Sequence, residues 1–267
     1  MPPTLAVVTD HDRAARDPAA EPAEPAEPVV AHGVGPWPGG EAAWPAGEHW
    51  DPELLRAGDA RNVVDRYRYW SLEAIVADLD LVRNPFHVAI ENWQHDMNIG
   101  SIVRSANAFA AEAVHIVGRR RWNKRGAMVT DRYQHVLHHP DVASFTAWAR
   151  DAGLVVVAVD NVAGSVPLET TSLPERCVLV FGQEGPGLSP EVLEVAELVV
   201  EISQFGSTRS INASAAGAVV MHEWVRQHRF SADPAAPATR RPRPGAAPEA
   251  TAPGPGQRRS DRRSASS

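Results

Sequence analysis

Apolar and polar positions along the middle of the chain switch between two periods. From Pro85 onward, short apolar runs of strand length alternate with stretches at helical spacing. Phe86 to Ile90 is a short β-prone run. Ile99, Ile102, Val103, Ala106 and Ala110 then recur at helical spacing. Ala113 to Val117 reads as a second strand. Asp141 to Ala152 reads as a helix with Val142, Phe145 and Trp148 on one side. Leu154 to Val159 is a third strand, nearly continuous in apolar residues, as a strand covered on both faces must be. Val178 to Phe181 and Leu198 to Ile202 are the fourth and fifth. Ser189-Pro190-Glu191 opens a helix with a hydroxyl cap, a proline at the first position and an acid near the positive end. A last helix runs from Ala213 to about Gln227. This alternation predicts an α/β domain with a mainly parallel sheet over residues 85–229. Residues 51–84 read as a helical extension, with Tyr67, Trp70, Ile75 and Leu79 as candidate buried positions and Ser71 as a helix cap.

Composition changes the picture at the ends. Residues 1–50 are rich in Pro, Ala, Glu and Gly, and residues 230–267 in Pro, Ala and Arg. Such segments bury too little apolar surface to offset their ordering entropy, so both are expected to be disordered. Charge is uneven. The first 50 residues carry eight acids against two arginines, and residues 231–267 seven arginines against three acids. The middle is net acidic, which disfavours bulk electrostatic capture of nucleic acid but leaves room for local patches. One patch is Arg119, Arg120 and Arg121, continued by Lys124, Arg125 and Arg132; it is an RNA-binding stretch or a solvated loop.

Cys177 is the single cysteine, so no internal disulfide and no cysteine metal cluster form; in its apolar run it reads as a small buried hydrophobe. His138 and His139 are adjacent and lie on different faces of any regular element, so no metal site is expected. No apolar run nears the ~20 residues of a membrane span, and no secretory leader is visible. A cytoplasmic protein is the expectation.

In parallel sheets, ligands bind beyond the carboxyl ends of strands. Three polar stations fall there. The first is Glu91 to Gly100, followed by Arg104 on a helix face away from the apolar stripe. The second is Phe181-Gly-Gln-Glu-Gly-Pro-Gly-Leu-Ser-Pro190, a rigid loop whose backbone can approach a ligand closely. It lacks the Gly-Lys-Ser/Thr ending of a triphosphate loop and does not match the dinucleotide fingerprint, so ATP and NAD are poor candidates. The third is Gly206 to Gly217, where Arg209, Ser210 and Asn212 lead into a small-residue helix. Each alone has a plain structural reading as a turn or helix cap.

Together they resemble the SpoU (TrmH-like) family of RNA ribose 2′-O-methyltransferases, within the SPOUT superfamily. Asn98 to Phe109 is similar to the family's Asn-x-Gly-x-x-x-Arg motif. Val180 to Ser189 is similar to its Gly-x-Glu-x-x-Gly loop, and Glu201 to Ala216 to its Ile-Pro...Ser-Leu-Asn-Val-Ser stretch. Ser203 stands where the family has proline, and Ile211 where it has leucine. The resemblance implies a Rossmann-like sheet whose C-terminal part is threaded into a trefoil knot, S-adenosylmethionine bound in the knot, and a homodimer with catalytic groups from both subunits. It implies that Arg104 acts on the target hydroxyl, either as a base helped by the RNA phosphate or by clamping that phosphate; the second suits a guanidinium better. Asn98 would orient Arg104 or the ribose, Glu184 would brace the cofactor loop, and Ser210 and Asn212 would place the hydroxyl and cofactor. Cofactor contacts would come from backbone near Asp160, Gly182, Gly187, Ile202 and Ser210, with no metal. Asp131 to His135 and Met221 to Gln227 look like members that modify a tRNA loop guanosine, and the short extension also favours tRNA over rRNA. Two rivals stand: a non-catalytic RNA-binding protein that keeps the knot fold, and a methyltransferase acting on something other than RNA.

Overall fold

The computed structural model describes residues 33–93 and 98–230. Much of both expected disordered tails (residues 1–32 and 231–267) and part of the first station (residues 94–97) lie outside the described residues.

Seven parallel strands form one sheet: β1 (His87–Asn92), β2 (Val114–Gly118), β3 (Val136–His139), β4 (Val155–Val159), β5 (Val166–Pro167), β6 (Cys177–Phe181) and β7 (Leu198–Glu201), in spatial order β3-β2-β1-β6-β4-β7-β5. Helices α3 (Asn98–Ala108), α4 (Val142–Asp151), α5 (Pro190–Val195) and α6 (Ala213–Arg229) cover it. Alternate residues on each strand feed two cores. Val88, Ile90, Ile116, Leu179 and Phe181 meet Ile99, Ile102 and Val103 of α3 and Met221 and Trp224 of α6. Ala89, Val117, Val178 and Val180 meet Phe145 and Ala149 of α4 and Val192 of α5. Burial on both sides is why the central strands are continuous apolar runs. Cys177 is fully buried, and that burial pushes its thiol up to about 12.

The strands β3 and β5 were not predicted. Both are sheet edges. β3 is Val-Leu-His-His with Leu137 exposed, and β5 is a two-residue pairing that includes Pro167, a residue an edge tolerates.

Residues 33–50, expected to belong to a disordered tail, are packed against the extension that holds α1 (Pro52–Ala57) and α2 (Leu72–Asp80). Val34 and Asp59 exchange backbone hydrogen bonds of 3.0 and 2.9 Å, and Ser71 N donates to His49 O at 2.8 Å. Trp37 stacks edge-on to Trp50 and Tyr69, with centroids 5.7 and 5.3 Å apart. Average composition hid these tryptophans among Pro, Ala and Glu. At the centre, Asp59 is fully buried. Burial alone would raise its carboxyl, but the Arg61 guanidinium and the Tyr69 and Arg61 amides hold it down to about 2. Ser71 caps α2, accepting from Ala74 N at 3.1 Å.

Three histidines form a row across β1, β2 and β3 on the α4 side. His87 Nδ1 lies 3.1 Å from His115 Nε2, and His115 Nδ1 lies 2.9 Å from His139 Nε2. Trp148 packs over the row, 4.0 Å between centroids from His115. Burial lowers all three pKa values, to about 4 for His87 and about 2 for His115, and at His87 the Arg176 charge adds to the effect. The folded chain therefore keeps them neutral, while the unfolded chain titrates near the ordinary value of about 6.5. Below that pH the unfolded state binds more protons. Stability present above pH ~6.5 is thus lost as pH falls through the window towards the folded values. Melting followed by circular dichroism should show Tm falling steadily between pH 7 and pH 5; an unchanged Tm across that range would contradict the neutral row.

Candidate functional site

The site forms where β1, β6 and β7 end. Glu91 and Asn92, the last residues of β1, are polar yet fully buried. Glu91 accepts from Ser189 N at 2.7 Å and from Trp93 Nε1 at 2.9 Å, tying β1 to the cap of α5. Asn92 Nδ2 donates to the carbonyls of Arg119 and Arg121 at 2.7 and 2.8 Å, tying β1 to the basic loop after β2. Trp93 N donates to Gln183 Oε1 at 3.0 Å. Sequence reading placed Glu91 in the first station but gave neither it, Asn92 nor Gln183 a task. A run of polar residues closing an apolar strand was the available signal.

After β6 the chain folds back on itself. Gln183 and Gly187 exchange two backbone hydrogen bonds of 3.1 Å, leaving Glu184, Gly185 and Pro186 at the tip. A Cβ on Gly182 would lie 2.2 Å from the Gly187 carbonyl carbon, so only glycine allows this closure. Asp160, just past β4, holds the loop from beneath: its Oδ2 accepts from Leu188 N at 2.9 Å and its Oδ1 from Asn161 N at 2.8 Å.

Asn98, at the start of α3, joins all three stations. Its Nδ2 donates to Glu184 Oε2 at 2.8 Å, and its Oδ1 accepts from Asn212 Nδ2 at 2.8 Å. Asn212 also caps α6, accepting from Ser214 N at 2.9 Å and Ala215 N at 3.3 Å. The small residues that follow let α6 lie close to α3: Gly217 is buried, and a Cβ there would sit 3.3 Å from Ile102. The loop before α6 is anchored twice more. Asn161 Nδ2 donates to Arg209 O. Ser203, at the position of the family's proline, donates through N and Oγ to the Glu169 carboxylate at 3.0 Å each. A proline could give only rigidity there; serine supplies two hydrogen bonds instead.

A cavity of about 580 Å³ opens between these loops. Asp160, Gly182, Glu184, Gly187, Ile202, Ser210 and Asn212 all line it. Asn98 stands behind the lining. Arg104 is exposed one and a half turns along α3, is not part of the lining, and makes no hydrogen bond or ion pair among the described residues. The basic residues Arg119, Arg120, Arg121, Lys124 and Arg125 are all exposed. Lys124 is held by Asp131 at 2.7 Å, which takes its charge out of the patch in part. The loop presses on α3: a Cβ on Gly100 would meet Ala127 N at 2.7 Å and Asn123 O at 2.9 Å. That close approach explains the glycine two residues after Asn98. His138 and His139 take separate partners, Gly118 O and His115. Among the described residues no group of three His, Cys, Asp or Glu side chains could hold a metal, and no helix is long and apolar enough to cross a membrane.

Comparison with known proteins identifies the family and the fold. A model described as the SpoU rRNA Methylase family matches residues 85–222. An uncharacterized tRNA/rRNA methyltransferase of Mycolicibacterium smegmatis is 36% identical over 148 residues, covering 53% of this chain and 46% of the relative. One from Mycolicibacterium gilvum is 35% identical over 150 residues, covering 54% and 47%. The match thus spans about half the length of these relatives. The TrmH/SpoU tRNA modifying enzyme of A. aeolicus superposes with a TM-score of 0.53 at 23% identity, covering 60% of this chain and 85% of that one. The SpoU methyltransferase AviRb of Streptomyces viridochromogenes gives 0.51 at 24%, covering 58% and 64%. At these identities the two structures establish a shared fold.

Proposed function

We propose that this chain, which belongs to the SpoU rRNA methylase family, transfers a methyl group from S-adenosylmethionine to a ribose 2′-hydroxyl of structured RNA. The carrying observation is the Glu184–Asn98–Asn212 chain of hydrogen bonds, which gathers three distant motifs around one cavity.

The residues present fit that cofactor. The cavity volume of about 580 Å³ lies in the range of small-molecule sites. Its lining comes from the loops after β4, β6 and β7, and Gly182 lets the loop after β6 close tightly beside it. Three carboxylates, Asp160, Glu184 and Glu201, line it and favour a cationic sulfonium. When bound, S-adenosylmethionine supplies an activated methyl group. The chain then has two tasks: to align donor with hydroxyl, and to hold the RNA.

Arg104 holds the RNA phosphate next to the target ribose. A guanidinium stays protonated near neutral pH, so it serves as a planar two-point clamp and not as the proton acceptor. Asn98 sets the first turn of α3, and thereby Arg104, relative to the cofactor loop. Glu184 braces that loop through Asn98, Asp160 through Leu188, and Asn212 orders the start of α6 beside Ser210. Ser210 is exposed and lines the cavity, and its hydroxyl is the group assigned to meet the ribose. Arg119, Arg120, Arg121 and Arg125, with Lys124 in a lesser role, carry the RNA backbone towards α3.

The outward faces of α3 and α6 form the subunit contact in this proposal. Ile211, just before α6, and Val219 on it are 38% and 43% exposed, and Ala215 between them is exposed too, an apolar patch that another copy would cover. Arg104 then meets the partner's side of the site. Light scattering at micromolar concentration should give the mass of a dimer; a monomer would remove this part of the proposal. The knotted threading expected of the family belongs to the same proposal.

The substrate proposed first is tRNA, at a loop guanosine, with rRNA next. Incubation with methyl-labelled S-adenosylmethionine and purified tRNA or rRNA pools distinguishes them. Label in tRNA supports the reading as stated, label in rRNA moves the substrate, and label in neither overturns it.

A further inference from the structure

The loop between β7 and α6 carries a charged residue that the proposed reaction leaves without a task. Arg209 lines the cavity and is exposed. Its backbone is held, because its carbonyl accepts from Asn161 Nδ2, and Asn161 is itself bound to Asp160. Its guanidinium makes no hydrogen bond or ion pair among the described residues.

Its surroundings make this unusual. Asp160, Glu184 and Glu201 line the same cavity, and each is engaged inside the protein. Asp160 accepts from Leu188 N, Glu184 from Asn98 Nδ2, and Glu201 from Ser165 Oγ at 2.8 Å. Arg209 is therefore the one cationic side chain among the cavity-lining residues, unengaged beside three engaged carboxylates.

We propose that Arg209 binds the α-carboxylate at the amino-acid end of the methyl donor. This rests on S-adenosylmethionine occupying the cavity. That molecule carries a sulfonium, an ammonium and a carboxylate. The acidic wall suits the two cations and repels the carboxylate, so an anionic end can settle there only against a local positive charge. A guanidinium offers the matching two-point geometry. The residue then fixes which way round the donor lies, with its amino-acid end towards the β7–α6 loop. The proposal gives Arg209 a task separate from that of Arg104, which reaches for RNA.

The test is calorimetric titration of the full chain, wild type and Arg209→Ala, with S-adenosylmethionine and with its decarboxylated analogue. The analogue keeps the sulfonium and an amine but lacks the carboxylate. The wild type should bind S-adenosylmethionine more tightly than the analogue. Arg209→Ala should lose about tenfold in affinity for S-adenosylmethionine, the size of one exposed charge-assisted contact, and change less than about twofold for the analogue. Arg209→Lys should fall between. Unchanged binding of S-adenosylmethionine to Arg209→Ala would overturn the proposal and leave the guanidinium to the RNA. An equal loss for both ligands would also overturn it, showing that the residue shapes the loop. If the wild type binds neither ligand, the functional reading beneath it fails instead.

Discussion

Arg104→Ala should lower methyl transfer to RNA by about 10²–10³-fold, the usual cost of removing one charge-stabilising donor from a reaction centre. Affinity for S-adenosylmethionine should not change, because Arg104 stands outside the cavity lining. Stability should also hold: the side chain is exposed on α3, and alanine is a better helix former. Arg104→Lys keeps the charge but loses the planar fork, and should recover only a small part of the rate. Single-turnover rates beside calorimetric binding separate these effects. Full activity in Arg104→Ala would remove the role assigned to this residue.

Gly182→Ala should act on the opposite half of the site, with loss of cofactor binding. The added carbon would meet Gly187 C at 2.2 Å, Gly187 O at 2.4 Å and Leu188 N at 2.4 Å. All three are backbone atoms and cannot rotate away. The loop must open, breaking the paired Gln183–Gly187 hydrogen bonds and drawing Glu184 from Asn98. Overpacking of this kind costs about 1–3 kcal/mol. Taken from cofactor binding, that is about 5- to 150-fold in affinity. Gly185→Ala is the comparison. Nothing lies within 4 Å of its added carbon, but its φ of +99° is strained for alanine, so a smaller loss is expected. Equal affinity in Gly182→Ala and wild type would contradict the close-approach reading of this loop.

The central strands and the helix caps were legible because they rest on local rules. Val155 to Val159 is apolar on both faces, and Ser71, Ser189 and Asn212 cap helices with their own side chains. The edge strands were not legible. β3 presents Leu137 to solvent and spends two positions on histidine, so it shows neither an apolar run nor a clean alternation. The packed segment at 33–50 was hidden for another reason. Its order comes from Trp37 and Trp50 meeting Tyr69 and Trp70, contacts between stretches far apart in the chain.

The site divides the same way. Asn98, Glu184 and Asn212 each stood out in a motif, but their joining is a tertiary fact. It spans 86 residues in one bond and 114 in the other. Asp160 was expected among backbone cofactor contacts, yet its carboxylate is committed to the loop at Leu188 and Asn161. Glu91 and Asn92 looked like the polar end of a strand. Their burial and their bonds to Ser189, Arg119 and Arg121 make them the pins that hold two loops in register with β1.

The most direct measurement is the chemical position of the transferred methyl group. RNA incubated with the full chain and S-adenosylmethionine is digested to nucleosides and analysed by mass spectrometry, with alkaline hydrolysis in parallel. A ribose 2′-O-methyl nucleoside should appear, protected from alkali at the adjacent phosphodiester and formed far more slowly when Arg104→Ala replaces the wild type. A methyl group on the base, or none in any RNA, would contradict the account.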